Sequence, residues 1–230
     1  MTTLRVICAA TVLVPSLLIA QTKRPASAAS PGALLERTAA LYTGSRSLRA
    51  PFTQRVKNPI TSSETTSAGV YLQRGPGVFD VRFTQPAGDR IVSDGRTLWV
   101  FVPSATPGQV LKMPVGANAP GGVDLVGQFF TSPSRKFTVT DGGNASIGGA
   151  TLRKLVLVPK GEMGLARAVL WVSSGTGSLR QLEVTEHSGL VRTLSFTTIE
   201  RGVPLPGGAF TFTVPRGITV VDQAALTRGM

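Results

Sequence analysis

The sequence predicts a mainly β protein, an incomplete, half-open antiparallel β-barrel with short helices forming a lid over an apolar cavity. Three observations carry this. From Ala50 onward, short alternating segments rich in Val, Phe, Thr and Leu recur between Gly, Pro, Asp and Asn at near-regular intervals, the pattern of sequential hairpins. Only two stretches show helical spacing. The strands also hold more apolar positions than one solvated face can use, so the sheet must curl over an interior whose open side the helices plug. No longer repeat stands out, which argues against a propeller or a solenoid.

The chain opens on a targeting segment. Arg5 precedes an apolar run from Val6 to Ala20, short of the roughly 20 apolar residues that a spanning helix needs. Gln21-Thr22-Lys23-Arg24 and an A-x-A site, Ala26-Ser27-Ala28, follow. This is the layout of a secretory signal peptide over residues 1–28, with cleavage expected after Ala28 and Ala20 as the alternative. Residues 29–222 read as a single domain and 223–230 as a flexible tail. The lone cysteine, Cys8, lies inside the signal, so the exported chain has no thiol for a disulfide, a metal or nucleophilic catalysis. That suits an oxidising compartment, and a periplasmic location is expected.

Arg5, Lys23 and Arg24 leave with the signal, so 24 basic residues become 21 against 12 acidic, a net charge of +9. The basic residues are scattered, with no run longer than Arg135-Lys136 or Arg153-Lys154, and aromatic residues do not interleave with them. Nucleic acid is therefore not an expected partner, and a monomer is the default.

Past the signal, Ser30 can cap a helix that has Pro31 at its first position and Gly44 at its end. Leu34, Leu35, Leu41 and Tyr42 share one face of it. Strands are expected near 50–57, 66–74, 77–84, 89–93, 97–102, 109–113, 136–141, 151–159, 166–173, 178–186, 190–199 and 209–213. Asp94-Gly95 is read as a two-residue hairpin. A second short helix is expected over Val123–Phe130, where Val123, Val126, Phe129 and Phe130 fall at helical spacing.

Chemistry-bearing constellations are scarce. His187, the sole histidine, sits in an expected turn, and no G-x-S-x-G elbow offers it a nucleophile. Glu183 and Glu186 are the one close carboxylate pair and read as solvated strand edge. Gly142-Gly143-Asn144 and Gly148-Gly149 match no phosphate-binding fingerprint and read as hairpin connections. No enzyme activity, metal or cofactor is expected, and function is placed in the cavity.

Five motifs in order then carry a resemblance. They are Phe52-Thr53-Gln54; Arg74-Gly75-Pro76-Gly77-Val78-Phe79; Thr84-Gln85-Pro86; Ile91-Val92-Ser93-Asp94-Gly95-Arg96-Thr97-Leu98-Trp99; and Phe210-Thr211-Phe212-Thr213-Val214-Pro215-Arg216-Gly217. Together they resemble the LolA family of periplasmic carriers of outer-membrane lipoproteins, over nearly the whole exported chain. The resemblance implies acylated lipoproteins as cargo, an inner-membrane ABC transporter as loader and a lipid-anchored outer-membrane receptor. It also implies that Arg74, matching the arginine of the R-P-x-x-F segment, hydrogen-bonds the helical lid; on the first helix, Leu34, Leu35 and Leu41 are expected to supply the apolar closure. Phe79 matches an aromatic at the cavity mouth, whereas Val81 stands where an aromatic is common and Gly75 is inserted between Arg and Pro. The expected cavity wall is Phe52, Leu72, Phe79, Phe83, Leu98, Val100, Phe129 and Leu182. Two alternatives share the fold: a carrier of another lipid, such as a glycolipid or hopanoid, and a lipoprotein-sensing regulator.

Overall fold

A computed structural model describes residues 29–115 and 123–224. The expected signal peptide and most of the expected tail lie outside these residues.

Helix α1 (Pro31–Thr43) forms as its end signals dictate: Ser30 Oγ accepts the Ala33 N–H at 3.2 Å, and the Gly44 N–H closes onto Ala40 O at 3.1 Å. Six strands follow as consecutive hairpins, β1 (Leu48–Asn58), β2 (Ser63–Gln73), β3 (Val78–Gln85), β4 (Ala87–Asp94), β5 (Thr97–Phe101) and β6 (Gln109–Pro114). A π-helical turn (Val126–Phe130) and the single turn α2 (Pro133–Lys136) come next. Five more hairpin-linked strands are β7 (Phe137–Ile147), β8 (Ala150–Pro159), β9 (Arg167–Val172), β10 (Leu179–Thr185) and β11 (Val191–Phe196). The short β12 (Glu200–Arg201) and β13 (Thr219–Asp222) end the series.

The two hairpin series join where β1 pairs with β11, giving one sheet in the order β13-β6-β5-β4-β3-β2-β1-β11-β10-β9-β8-β7, with β12 beside β1. Its outermost strands do not pair with one another, so the barrel stays open. The connection from β6 to β7 crosses between the two far sides of the sheet. It carries the π-helical turn into the interior, where the turn packs against α1. The apolar core gathers there from α1, the turn and the inward positions of most strands.

Three expectations are corrected in detail. The segment 209–213 is not a strand but a turn followed by extended chain. It lies across the outer face of the sheet, where Phe212 stacks on Trp99 with ring centres 5.4 Å apart and Arg90 donates to the Ala209 carbonyl at 2.9 Å. Pro204, Pro206 and Pro215 deprive this stretch of ladder donors, and the last strand forms beyond them, parallel to β6. The Asp94 hairpin is shifted by one: Asp94 ends β4, its carboxylate accepts from the N–H groups of Arg96 and Thr97, and Gly95-Arg96 is the two-residue loop, with Gly95 at φ +95°. Gly142-Gly143-Asn144 is a bulge inside β7 rather than a hairpin, because the register against β8 shifts between Asp141 and Asn144. The strand therefore runs on to Ile147, where Gly148-Gly149 makes the turn.

The outer strap also covers a second small core. Leu72, Asp80 and Val92 stand side by side in the register, and all three face away from the interior. Asp80 is fully buried there and holds Arg90 Nε at 2.8 Å and Arg82 Nε at 2.6 Å.

Candidate functional site

The space enclosed by the sheet is occupied by the protein's own side chains. Leu34 and Leu35 of α1 are at most 1% exposed, and Phe129 of the π-helical turn is completely buried. Phe129 stacks on Phe137 at 5.9 Å, and Phe130 stacks on Tyr42 at 4.8 Å. The Tyr42 hydroxyl accepts the Leu179 N–H at 2.9 Å, tying the helix to the start of β10. Leu41 lies at the edge of this packing and is only half-buried.

Of the residues expected to line a cavity, Phe52, Phe79, Leu98, Phe129 and Leu182 belong to the central core, and Phe83 and Val100 pack against it. Phe52 and Phe83 meet edge to face at 5.6 Å. Leu72 is placed differently: it is buried on the outer face, because strand alternation gives the inner face to Tyr71 and Gln73. Arg74 is exposed, and its guanidinium lies 5.1 Å from the centre of the Phe210 ring, on the outer strap.

The hydrogen bonds that hold the helical plug come from other residues. Gln73, completely buried, donates to Asp124 Oδ1 at 2.6 Å and to Gly75 O at 2.9 Å, while its Oε1 accepts from Val126 N at 3.2 Å and from the Tyr71 hydroxyl. The Tyr71 hydroxyl in turn accepts the Leu125 N–H at 3.0 Å. Asp124 also takes the N–H groups of Gly77 at 2.9 Å and Gly127 at 2.8 Å. Gly127 is required here, since a Cβ at that position would stand 2.0 Å from Asp124 Oδ2. These bonds satisfy the first amides of the helical segment, those of Leu125, Val126 and Gly127. Sequence reading passed over them, although Gln73 at an inward strand position and Asp124 at the head of a helical stretch were both visible signals.

Burial pushes the Tyr71 phenol well above its ordinary value of 10.0; the neighbouring Asp124 charge adds to this and the Leu125 N–H opposes it. The folded protein thus holds this proton more tightly than the unfolded chain does. The contribution of this group to stability is expected to be constant up to about pH 10 and then to be lost at roughly 1 kcal/mol per pH unit. Denaturant unfolding of wild type and Tyr71→Phe across pH 9 to 11.5 checks this; equal slopes for the two would remove Tyr71 as the cause.

Among the described residues no cluster of three or more His, Cys, Asp or Glu is placed to hold a metal ion, and no helix is long and apolar enough to cross a membrane. His187 is exposed, its Nε2 3.1 Å from Met163 O.

An open sheet wrapped around an apolar interior, filled by a plug that hydrogen bonds hold in place, defines the class of half-barrel proteins that shelter apolar ligands. The family described as outer membrane lipoprotein carrier protein LolA matches residues 43–213, and the chain belongs to that family of non-catalytic transport chaperones. Its similarity to the outer-membrane lipoprotein carrier protein of Cupriavidus necator is 27% identity over 194 residues, 83% of this chain and 89% of that one. The carrier protein of Dechloromonas aromatica is 28% identical over 185 residues, covering 77% and 82%. A crystal structure of an uncharacterized conserved protein from Thermus thermophilus shares the fold, with a TM-score of 0.51 at 14% identity over 83% of this chain and 97% of that one.

Proposed function

We propose that this chain is a periplasmic carrier that takes up the acyl chains of lipoproteins released from the inner membrane and delivers them to the outer membrane. The observation that carries the reading is the nature of the plug. Its apolar side chains fill the interior, yet its backbone is fastened through a few side-chain hydrogen bonds rather than strand pairing. Each methylene moved from water into such an interior gains about 0.8 kcal/mol, so long acyl chains can displace the plug. The displaced plug closes again once the chains leave, which favours release.

Tight apolar binding calls for an energy-driven loader and a receptor offering a better apolar site. An inner-membrane ABC transporter and a lipid-anchored outer-membrane receptor fill these roles in this reading. Residues 1–28 act as the cleaved signal that brings the chain to the periplasm. Arg74 serves the outer strap here, and Tyr71, Gln73 and Asp124 take the closing role. Phe52, Phe79, Phe83, Leu98, Val100 and Leu182 meet the acyl chains.

The test is native mass spectrometry of the protein purified from the envelope of its own host, with analysis of what co-purifies. A triacylated peptide or lipoprotein is the expected finding. A glycolipid or hopanoid in its place would keep the fold and replace the cargo.

A further inference from the structure

The inner wall of the half-barrel changes character along β1. Leu48, Ala50 and Phe52 are buried in the central core, but the next inward positions, Gln54 and Val56, are only half-buried. The residue paired with Val56 across β11 is Arg192, which also sits opposite Val184 of β10. Its neighbours on the same face, Leu194 and Phe196, belong to the core. A guanidinium is therefore mounted on the apolar face, at the end of the strands away from Tyr42 and Leu179.

This arginine is poorly served by its surroundings. Its Nη1 donates to Gln54 Oε1 at 3.2 Å, and Nη2 stands 3.7 Å from Glu186 Oε1. Its Nε is buried without a partner, which holds for no other buried side-chain nitrogen or oxygen among the described residues. Gln54 is itself fixed, donating to Ser67 Oγ at 3.1 Å. Burial pushes the guanidinium below the usual arginine range, with Glu186 opposing the shift. A buried donor without an acceptor destabilises the fold. An inward arginine also adds nothing to a wall that has only hydrocarbon to hold. Both facts fit a ligand that brings its own oxygen atoms to this end.

We propose that Arg192, positioned by Gln54, anchors the head of an acylated ligand by donating to the ester or amide carbonyl oxygens that join its acyl chains to the cargo. The proposal rests on the carrier reading and adds where the chains stop: the hydrocarbon lies inward, towards Phe52, and the linkages lie at the half-buried rim. A phosphate would meet the same donors, but Glu186 beside them offsets the positive charge and favours neutral carbonyls.

The test measures binding of a tripalmitoylated cysteine peptide, of diphenylhexatriene as an oxygen-free probe, and of phosphatidylglycerol to wild type, Arg192→Met and Arg192→Lys. Arg192→Met is expected to weaken lipopeptide binding about tenfold, the loss of a good charge-assisted hydrogen bond, and to leave the hydrocarbon probe within about twofold. Arg192→Lys, which keeps the charge but not the fork of donors, is expected to remain at least about fivefold weak, and it decides the matter if Arg192→Met does not fold. Lipopeptide binding unchanged in the variants, or equal losses for both probes, would overturn the anchor and leave the carrier intact. Arginine-dependent preference for phosphatidylglycerol would overturn the carbonyl assignment. Wild type that binds the hydrocarbon but not the lipopeptide would overturn the carrier reading and the anchor together.

Discussion

Truncating Phe129 to alanine is expected to weaken the empty protein and strengthen its grip on acyl chains. The ring is completely buried, stacked on Phe137 and packed among residues of the core. Phe-to-Ala changes in such places cost about 3–5 kcal/mol, the lost transfer energy plus the cavity left behind. For a domain of this size that is a melting temperature lower by about 6–20 °C. The same vacated volume is what an acyl chain would otherwise have to win from the plug. Affinity for a lipopeptide or an apolar dye should therefore rise as stability falls, and added ligand should restore part of the lost melting temperature. The check is a thermal melt with and without ligand beside a binding titration. A variant that is less stable but binds no better would mean that plug and ligand do not share a site.

Removing the Asp124 carboxylate is the second large effect. In Asp124→Ala the buried Gln73 amide loses its 2.6 Å partner, and the Gly77 and Gly127 N–H groups lose theirs. Stranded donors of this kind cost about 2–4 kcal/mol together. Unlike Phe129→Ala, this change leaves the packing of the interior in place and acts on how often the plug lifts. Amide exchange at Leu125 and Val126, whose N–H groups reach Tyr71 and Gln73, should accelerate tenfold or more by that arithmetic. Amides in the β1–β2 ladder should slow or quicken only with global stability. Unchanged protection at Leu125 and Val126 would show that packing alone holds the plug.

The half-barrel was legible because its signals are local. Alternation, turn residues and the Ser30-Pro31 helix start each act within a few residues, and so they survive in a single sequence. The segment around Phe210 and Phe212 looked like a strand for the same reason. Only the placement of Trp99 and Arg90, far away in sequence, decides that it packs by its side chains instead. As an apolar strand residue, Leu72 is expected in the interior. Its side of the sheet depends on the parity set by Tyr71 and on the strap that covers it. The closing residues illustrate the same limit: Gln73 and Asp124 lie 51 positions apart, and a polar residue at an inward strand position declares itself only when its partner is seen. The resemblance pointed to Arg74 for that task, one residue from the side chain that makes the contact.

The unpaired outer strands have a consequence for the shape of what can be carried. A closed ring would accept only what can be passed through its aperture end first. A sheet with two free margins can admit a guest from the flank with no strand pair broken. A folded protein tethered to its lipid can then remain outside at full size while only its greasy end is enclosed. The dimensions of the passenger place no demand on the dimensions of the carrier.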